Sequence, residues 1–247
     1  RPGRVGRIGR MDRRGTKAAD RTNRCRRTSA SRKGVKASVY QDAWVKGKRV
    51  KKGKRECEKR YLAIRRELAR LGYSADAEKP MTVLDIGAAN GYFSFRLAED
   101  FNARVTMIES SPDIVKWVKL NGNPNVSLIR RAVSARELDA MAKKKRFDVV
   151  LALSVLHHFP DFARAVRAIF RLGDVVFVEP PAPEEAKGGY QGHRAEAILR
   201  LLRARPHRVL VQTPNLRGLG KRPLMVFGDS KPDGRAGRQS HAPGRTR

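Results

Sequence analysis

Cysteine is nearly absent from this chain. Cys25 and Cys57 are the two in 247 residues, too few for a disulfide framework, and with no clustered His or Cys beside them they do not make a zinc site. Long apolar runs are missing as well. The longest, Val149 to Leu156, is broken by Ser154 and has the length of a buried strand, well short of the roughly 20 residues that cross a bilayer. No secretory apolar segment precedes it, so an intracellular, reducing location, the cytoplasm, is the expectation. Acid is scarce too: 24 Asp and Glu face 55 Lys and Arg, a formal charge of +31 and a pI near 11.3. Residues 1–70 hold 26 Lys/Arg against 6 Asp/Glu, whereas residues 71–228 hold 24 against 16. A basic excess of this size attracts polyanions, with nucleic acid the first candidate and an anionic membrane surface the second. A basic extension that only solvates the protein accounts for it equally well.

That imbalance divides the chain. Residues 1–36 carry almost no large apolar side chains and are expected to form a disordered basic tail, since they cannot bury enough surface to offset the entropy of ordering. Residues 37–72 read as a basic arm and a leading helix. Tyr40 and Trp44 sit beside the basic run Lys46 to Arg55, a combination that suits contact with RNA or DNA or anchoring of the arm to a core. From Arg55 to Leu71 the residues Cys57, Tyr61, Ile64, Leu68 and Leu71 recur at helical spacing, and Gly72 stands where a helix C-terminus takes a left-handed residue. Residues 73–228 read as the main domain, and 229–247 as a second disordered tail.

The main domain is organised around Thr82 to Arg96, TVLDIGAANGYFSFR. Val83, Leu84 and Ile86 predict a buried strand, Gly87 to Gly91 a small-residue turn, and Tyr92 to Ala98 a helix. Such a turn lets a ligand approach backbone N–H groups at a helix N-terminus. A dinucleotide fingerprint starting at Gly87 is disfavoured, because Tyr92 stands where a small residue is needed. The stretch instead resembles motif I of class I S-adenosylmethionine (SAM)-dependent methyltransferases, D-x-G-x-x-x-G, here Asp85, Gly87 and Gly91. Arg104 to Glu109 predicts the next strand, ending on a carboxylate at the spacing of a ribose-binding acid. Ser110 to Pro112 then reads as the start of a helix.

The resemblance implies a doubly wound, mostly parallel seven-stranded α/β sheet whose last strand runs antiparallel between the fifth and sixth. The remaining elements fit that order: strands over Val126–Ile129, Phe147–Leu156, Asp174–Glu179, Val209–Gln212 and Pro223–Phe227, and helices over Ala135–Lys144, Phe162–Leu172 and His193–Leu202. It also implies SAM as cofactor. Asp85, Gly87, Ala88, Asn90 and Gly91 would hold or border its methionine portion, Glu109 the ribose, and Leu156 would lie close by. The acid that many members carry after the third strand is replaced by Arg130, Arg131, Ala132 and Val133, which leaves adenine to backbone and apolar contacts. After the fourth strand, SVLHHF resembles the segment beside the transferred methyl in this class. His157, His158 and, at the end of the fifth strand, Glu179 are therefore the candidates for contacting the acceptor or taking its proton. Each also has a plain structural reading as a cap, a packed ring or a loop anchor.

The expected function is methyl transfer to an unidentified acceptor, with the basic flanks favouring nucleic acid. A small-molecule O- or N-methyltransferase and a non-catalytic RNA-binding protein of the same fold remain the alternatives. The prolines after Glu179 do not form the N-P-P-Y motif of enzymes that methylate exocyclic amines of DNA, since that motif follows the fourth strand.

Overall fold

The computed structural model describes residues 39–188 and 190–228. The expected tails, 1–36 and 229–247, lie outside the described residues. The chain forms β1 (Ala43–Val45), β2 (Lys48–Lys51), α1 (Glu58–Arg70), β3 (Thr82–Ile86), α2 (Tyr92–Asp100), β4 (Arg104–Ile108) and α3 (Ile114–Asn121). It continues through β5 (Val126–Ile129), α4 (Ala135–Ala142), β6 (Phe147–Leu153), α5 (Phe162–Leu172), β7 (Gly173–Glu179), α6 (Ala195–Arg203), β8 (Arg208–Pro214) and β9 (Lys221–Phe227).

Seven strands make one sheet in the order β5-β4-β3-β6-β7-β9-β8. β3 pairs in parallel with β4 and β6, β4 with β5, and β6 with β7, while β9 runs antiparallel between β7 and β8. This is the sheet expected from the sequence. Its strands are apolar on both faces because both are covered. Val83, Val105, Val149, Leu151 and Phe177 point into a core shared with Tyr61, Ile64 and Leu68 of α1 and Phe93 and Leu97 of α2. Their neighbours Leu84, Val150, Val176 and Met225 point the other way, against Leu138 of α4, Ile169 and Leu172 of α5, and Ile198 and Leu202 of α6. The period-two alternation of strand side chains thus sorts one apolar run into two cores. Burying each such side chain stabilises the fold by about 1.5–3 kcal/mol.

Three local readings need correction. The fourth sheet strand, β6, stops at Leu153 rather than Leu156: Ser154 has φ +61°, which ends strand geometry, and Leu156–His158 close into a 3₁₀ turn. The third helix begins at Ile114, because Glu109 and the Ser111 hydroxyl take the N–H groups of Ser111 and Asp113 in a preceding turn. The arm, which showed no strand pattern, is a hairpin whose two-residue turn, Lys46 and Gly47, has positive φ at both positions, 47° and 78°, as a primed turn requires. It is docked on the domain. Trp44 Nε1 donates to Glu99 at 2.7 Å, the Lys46 N–H donates to Asn121 Oδ1, Asn121 Nδ2 donates back to the Trp44 carbonyl, and the Arg96 guanidinium lies 4.4 Å from the Trp44 ring centroid. Of the two readings of Trp44, these contacts are those of an anchor.

Candidate active site

A cavity of about 880 Å³ opens along the carboxyl edge of the sheet, within the size range of pockets that hold a ligand and on the edge where open α/β sheets bind one. Its walls differ along its length. Over β3, β4 and β5 they are Gly87, Ala89, Glu109 and the Arg131–Ser134 segment; over β6 to β9 they are the histidine turn, Tyr190, Asn215–Arg217 and Arg222.

The glycine turn gives the first part its shape. Gly87, Ala89 and Gly91 have φ values of 75°, 51° and 77°. A Cβ on Gly87 would stand 2.9 Å from Val155 Cγ2, and one on Gly91 2.5 Å from the Phe95 ring, so no larger residue fits at either position without moving a packed side chain. Glu109 leaves β4 beside this turn and accepts the N–H groups of Ala89 and Ser111, both at 2.7 Å. Those two bonds fix a carboxylate at the cavity wall. Asp85 is fully enclosed beneath the turn and accepts the Ser94 hydroxyl at 2.7 Å. Burial pushes its carboxyl up to about 7; the Ser94 bond opposes that shift and the Glu109 charge adds to it.

Of the seven expected cofactor residues, Gly87 and Glu109 line the cavity. Asp85, Ala88 and Gly91 shape the turn from behind, Leu156 is packed in the core with Leu84 and Ile86, and Asn90 turns to the arm, its Nδ2 donating to the Gln41 carbonyl at 3.3 Å. Where the common adenine acid is missing, Arg131 is paired with Glu137, and Ala132 and Val133 present small apolar surfaces to the cavity. The residues present fit SAM: a cradle closed to any Cβ, a fixed acid at ribose spacing, and an apolar wall beyond it.

The second part holds both histidines. Arg194 Nη1 donates to the carbonyls of His157 and Phe159 at 2.9 and 3.2 Å and so pins the turn that carries them. The two rings lie 4.3 Å apart between centroids, and Tyr190 covers His158 at 5.3 Å. His157 is buried, and its Nδ1 is bonded to nothing among the described residues. Its pKa is pushed down to about 4, first by burial and then by the charges of His158 and Arg222. The ring is therefore neutral at physiological pH, with a proton affinity below that of an ordinary histidine. His158 is more exposed and is shifted the same way, by burial and by Arg222.

Glu179 does not line the cavity. It is 0 % exposed, with Arg55 Nη2 at 2.6 Å on one carboxylate oxygen, Arg60 Nη1 at 3.1 Å on the other, and the Ser154 and Thr213 hydroxyls completing the shell. Burial raises its pKa, but Arg60, Arg55 and Ser154 outweigh burial and hold it below the ordinary value. Such a carboxylate is an anchor for Arg55, which does line the cavity. Sequence reasoning missed Arg55, Tyr190, Glu185 and Arg222, none of which belongs to a local motif.

A family description of the type Methyltransferase domain matches residues 57–220. The chain belongs to that family. Its domain is of the class I, SAM-dependent type, as the sheet and glycine turn are. Similar curated proteins include a ubiquinone biosynthesis O-methyltransferase of Xanthomonas oryzae pv. oryzae, 35% identical over 91 residues, covering 36% of this chain and 37% of the relative. The protein of the same name from Xanthomonas campestris pv. campestris is 31% identical over 124 residues, 49% of this chain and 51% of the relative. The methyltransferase chain thus spans from about a third to about half the length of these curated relatives. Among solved structures, the bifunctional kinase-methyltransferase WbdD superposes with a TM-score of 0.60 at 20% identity over 78% of this chain and 44% of that one. The N-terminal domain of EvdMO1 with S-adenosylhomocysteine bound gives a TM-score of 0.55 at 17% identity over 79% and 92%. At these identities the two structures speak for the fold alone. No helix among the described residues is long and apolar enough to cross a membrane.

Proposed function

We propose that this methyltransferase moves a methyl group from SAM to a hydroxyl oxygen of a small-molecule acceptor, with His157 taking the hydroxyl proton. The observation that carries the reading is the neutral His157 on the wall of a cavity continuous with the glycine turn and Glu109. The names of the curated relatives support an O-methyl product and a small acceptor, in place of the nucleic acid that the overall charge favours. The shape of the cavity agrees, with Tyr190 and the 215–217 loop walling its acceptor end.

When bound, SAM supplies a methyl group activated by sulfonium charge; transfer forms one O–C bond, breaks one S–C bond and leaves S-adenosylhomocysteine. The protein's share is alignment, exclusion of water and handling of one proton. Glu109 and the Gly87–Gly91 turn would hold the ribose and methionine portions, with Ala132 and Val133 against adenine. Arg194 fixes the histidine turn, so that the His157 ring keeps its place as the acceptor enters. The ring is neutral at pH 7, but its proton affinity, lowered by burial and by neighbouring positive charge, makes it a weak base until that charge is offset.

His157→Gln keeps a polar side chain of similar size and removes the base. Its kcat is expected to fall by about 10²–10⁴-fold, the usual contribution of a positioned base, while calorimetric affinity for SAM stays unchanged. Equal turnover in both proteins overturns the assignment of His157.

A further inference from the structure

At the acceptor end one arginine is held with one edge of its guanidinium committed and the other free. Arg222, on β9, donates through Nε to one oxygen of Glu185 and through Nη2 to the other, both at 2.6 Å. Glu185 is itself fixed, accepting the Ala182 N–H at 2.8 Å. This fork uses one edge of the guanidinium. Among the described residues no acceptor is bonded to Nη1, although the side chain is only 11 % exposed and lines the cavity. A planar, pre-oriented donor of this kind suits carboxylate and phosphate oxygens.

The neighbouring arginines are arranged differently. Arg55 and Arg60 share the one carboxylate of Glu179, while Arg222 alone faces Glu185. Arg217, on the same wall, donates to the Gly188 carbonyl and pairs with no carboxylate among the described residues. At the mouth, Tyr190 and Leu216 are exposed large side chains on the cavity. A ligand that satisfies both features has an apolar body and an anionic group.

Resting on the small-molecule reading above, we infer that the acceptor is such a molecule: its carboxylate or phosphate is received by the free edge of Arg222, and its body lies against Tyr190 and Leu216. The cofactor's own carboxylate is the competing source of the same chemistry. Placement favours the acceptor, since β9 is separated from the glycine-turn strand β3 by β6 and β7, and Arg222 is close enough to depress the proton affinity of both His157 and His158. An anion bound there also offsets that depression and makes the histidines better proton acceptors once the acceptor is in place.

The test uses three non-reacting probes, benzoate, phenyl phosphate and benzamide, titrated calorimetrically into the full chain with and without saturating S-adenosylhomocysteine. Wild type is expected to bind whichever anion fits, carboxylate or phosphate, about tenfold more tightly than benzamide with S-adenosylhomocysteine present, as one charge-assisted contact allows. Arg222→Gln should abolish that preference, and Glu185→Gln, which frees the second edge of Arg222, should keep or strengthen it. A purely structural pair would make the two variants alike, which overturns the inference. Loss of the anion preference on adding S-adenosylhomocysteine also overturns it, by assigning Arg222 to the cofactor. So does an equal preference in wild type and Arg222→Gln. Anion preference without methyl transfer to any hydroxyl supports the subsite and sinks only the O-methyl reading; His157-dependent transfer to neutral acceptors alone does the reverse.

Discussion

The two halves of the sheet build their parts of the cavity in different ways. Over β3 and β4 the site is made of consecutive residues: a strand, a turn whose backbone angles demand small residues, and one acid 20 positions after the alanine whose N–H it accepts. Over β6 to β9 it is made of residues brought from far apart, Arg55 on Glu179 across 124 positions and Arg222 on Glu185 across 37. The first half relies on backbone shape and one half-exposed carboxylate. The second relies on buried charge, which the fold must keep paired. It follows that changes in the second half act first on stability, and changes in the first half act first on ligand affinity.

Glu179→Gln is the most severe way to break that contrast. The substitution keeps the side chain's shape but leaves Arg55 and Arg60 buried with no carboxylate between them. Removing one partner of a buried ion pair costs about 3–5 kcal/mol, and the urea midpoint is expected to fall accordingly. An unchanged midpoint would mean that the cluster is not what joins α1 to β7.

Asp85 is the exception in the cofactor half, being buried without a cation. Its folded-state pKa of about 7 lies above the ordinary 3.8, so between those values the folded protein binds a proton that the unfolded chain has lost. The contribution of Asp85 to stability is therefore fullest below about pH 4 and is lost as pH rises through 7. Asp85→Asn stays neutral and keeps an oxygen for the Ser94 hydroxyl, so it should flatten the profile in this window and stabilise the ligand-free protein at neutral pH by on the order of 3 kcal/mol. Parallel pH profiles for wild type and variant would place the titration elsewhere.

The contrast also accounts for what could be read from the chain. The positions of the strands and the helix over 58–70 were legible from apolar periodicity and a glycine at position 72, whereas sheet order and the antiparallel seventh strand came from the resemblance to class I methyltransferases. The turn and the acid that wall the cavity over β3 and β4 were legible through Gly87, Gly91 and Glu109. The hairpin was not, because Lys46-Gly47 lies in a run of lysines with no alternation, and its anchor, Trp44 on Glu99 and Asn121, is a tertiary contact. Glu179 was seen at a strand's end, but nothing local says that two arginines from residues 55 and 60 close over it. Arg222 and Glu185 carried no signal at all, since an ion pair between a loop and the last strand has no spacing to recognise.

Glu109→Ala is the smallest of the three changes and sharpens the comparison most. Glu109 is half-exposed and its bonds to the Ala89 and Ser111 N–H groups join two loops rather than a core, so water can replace the lost carboxylate on both donors. Its stability effect is therefore expected to be slight. Its effect on the ligand is not, because a charge-assisted contact to ribose hydroxyls is worth about 1.5–3 kcal/mol, or roughly 10- to 100-fold in the dissociation constant. Calorimetry with SAM on wild type and variant, beside their urea midpoints, separates the two quantities. A large loss of affinity with the midpoint retained fits a half-site built from backbone shape and one acid. A lowered midpoint with affinity retained would make Glu109 a loop staple, and the ribose would then have to be held from the Arg131–Ser134 wall.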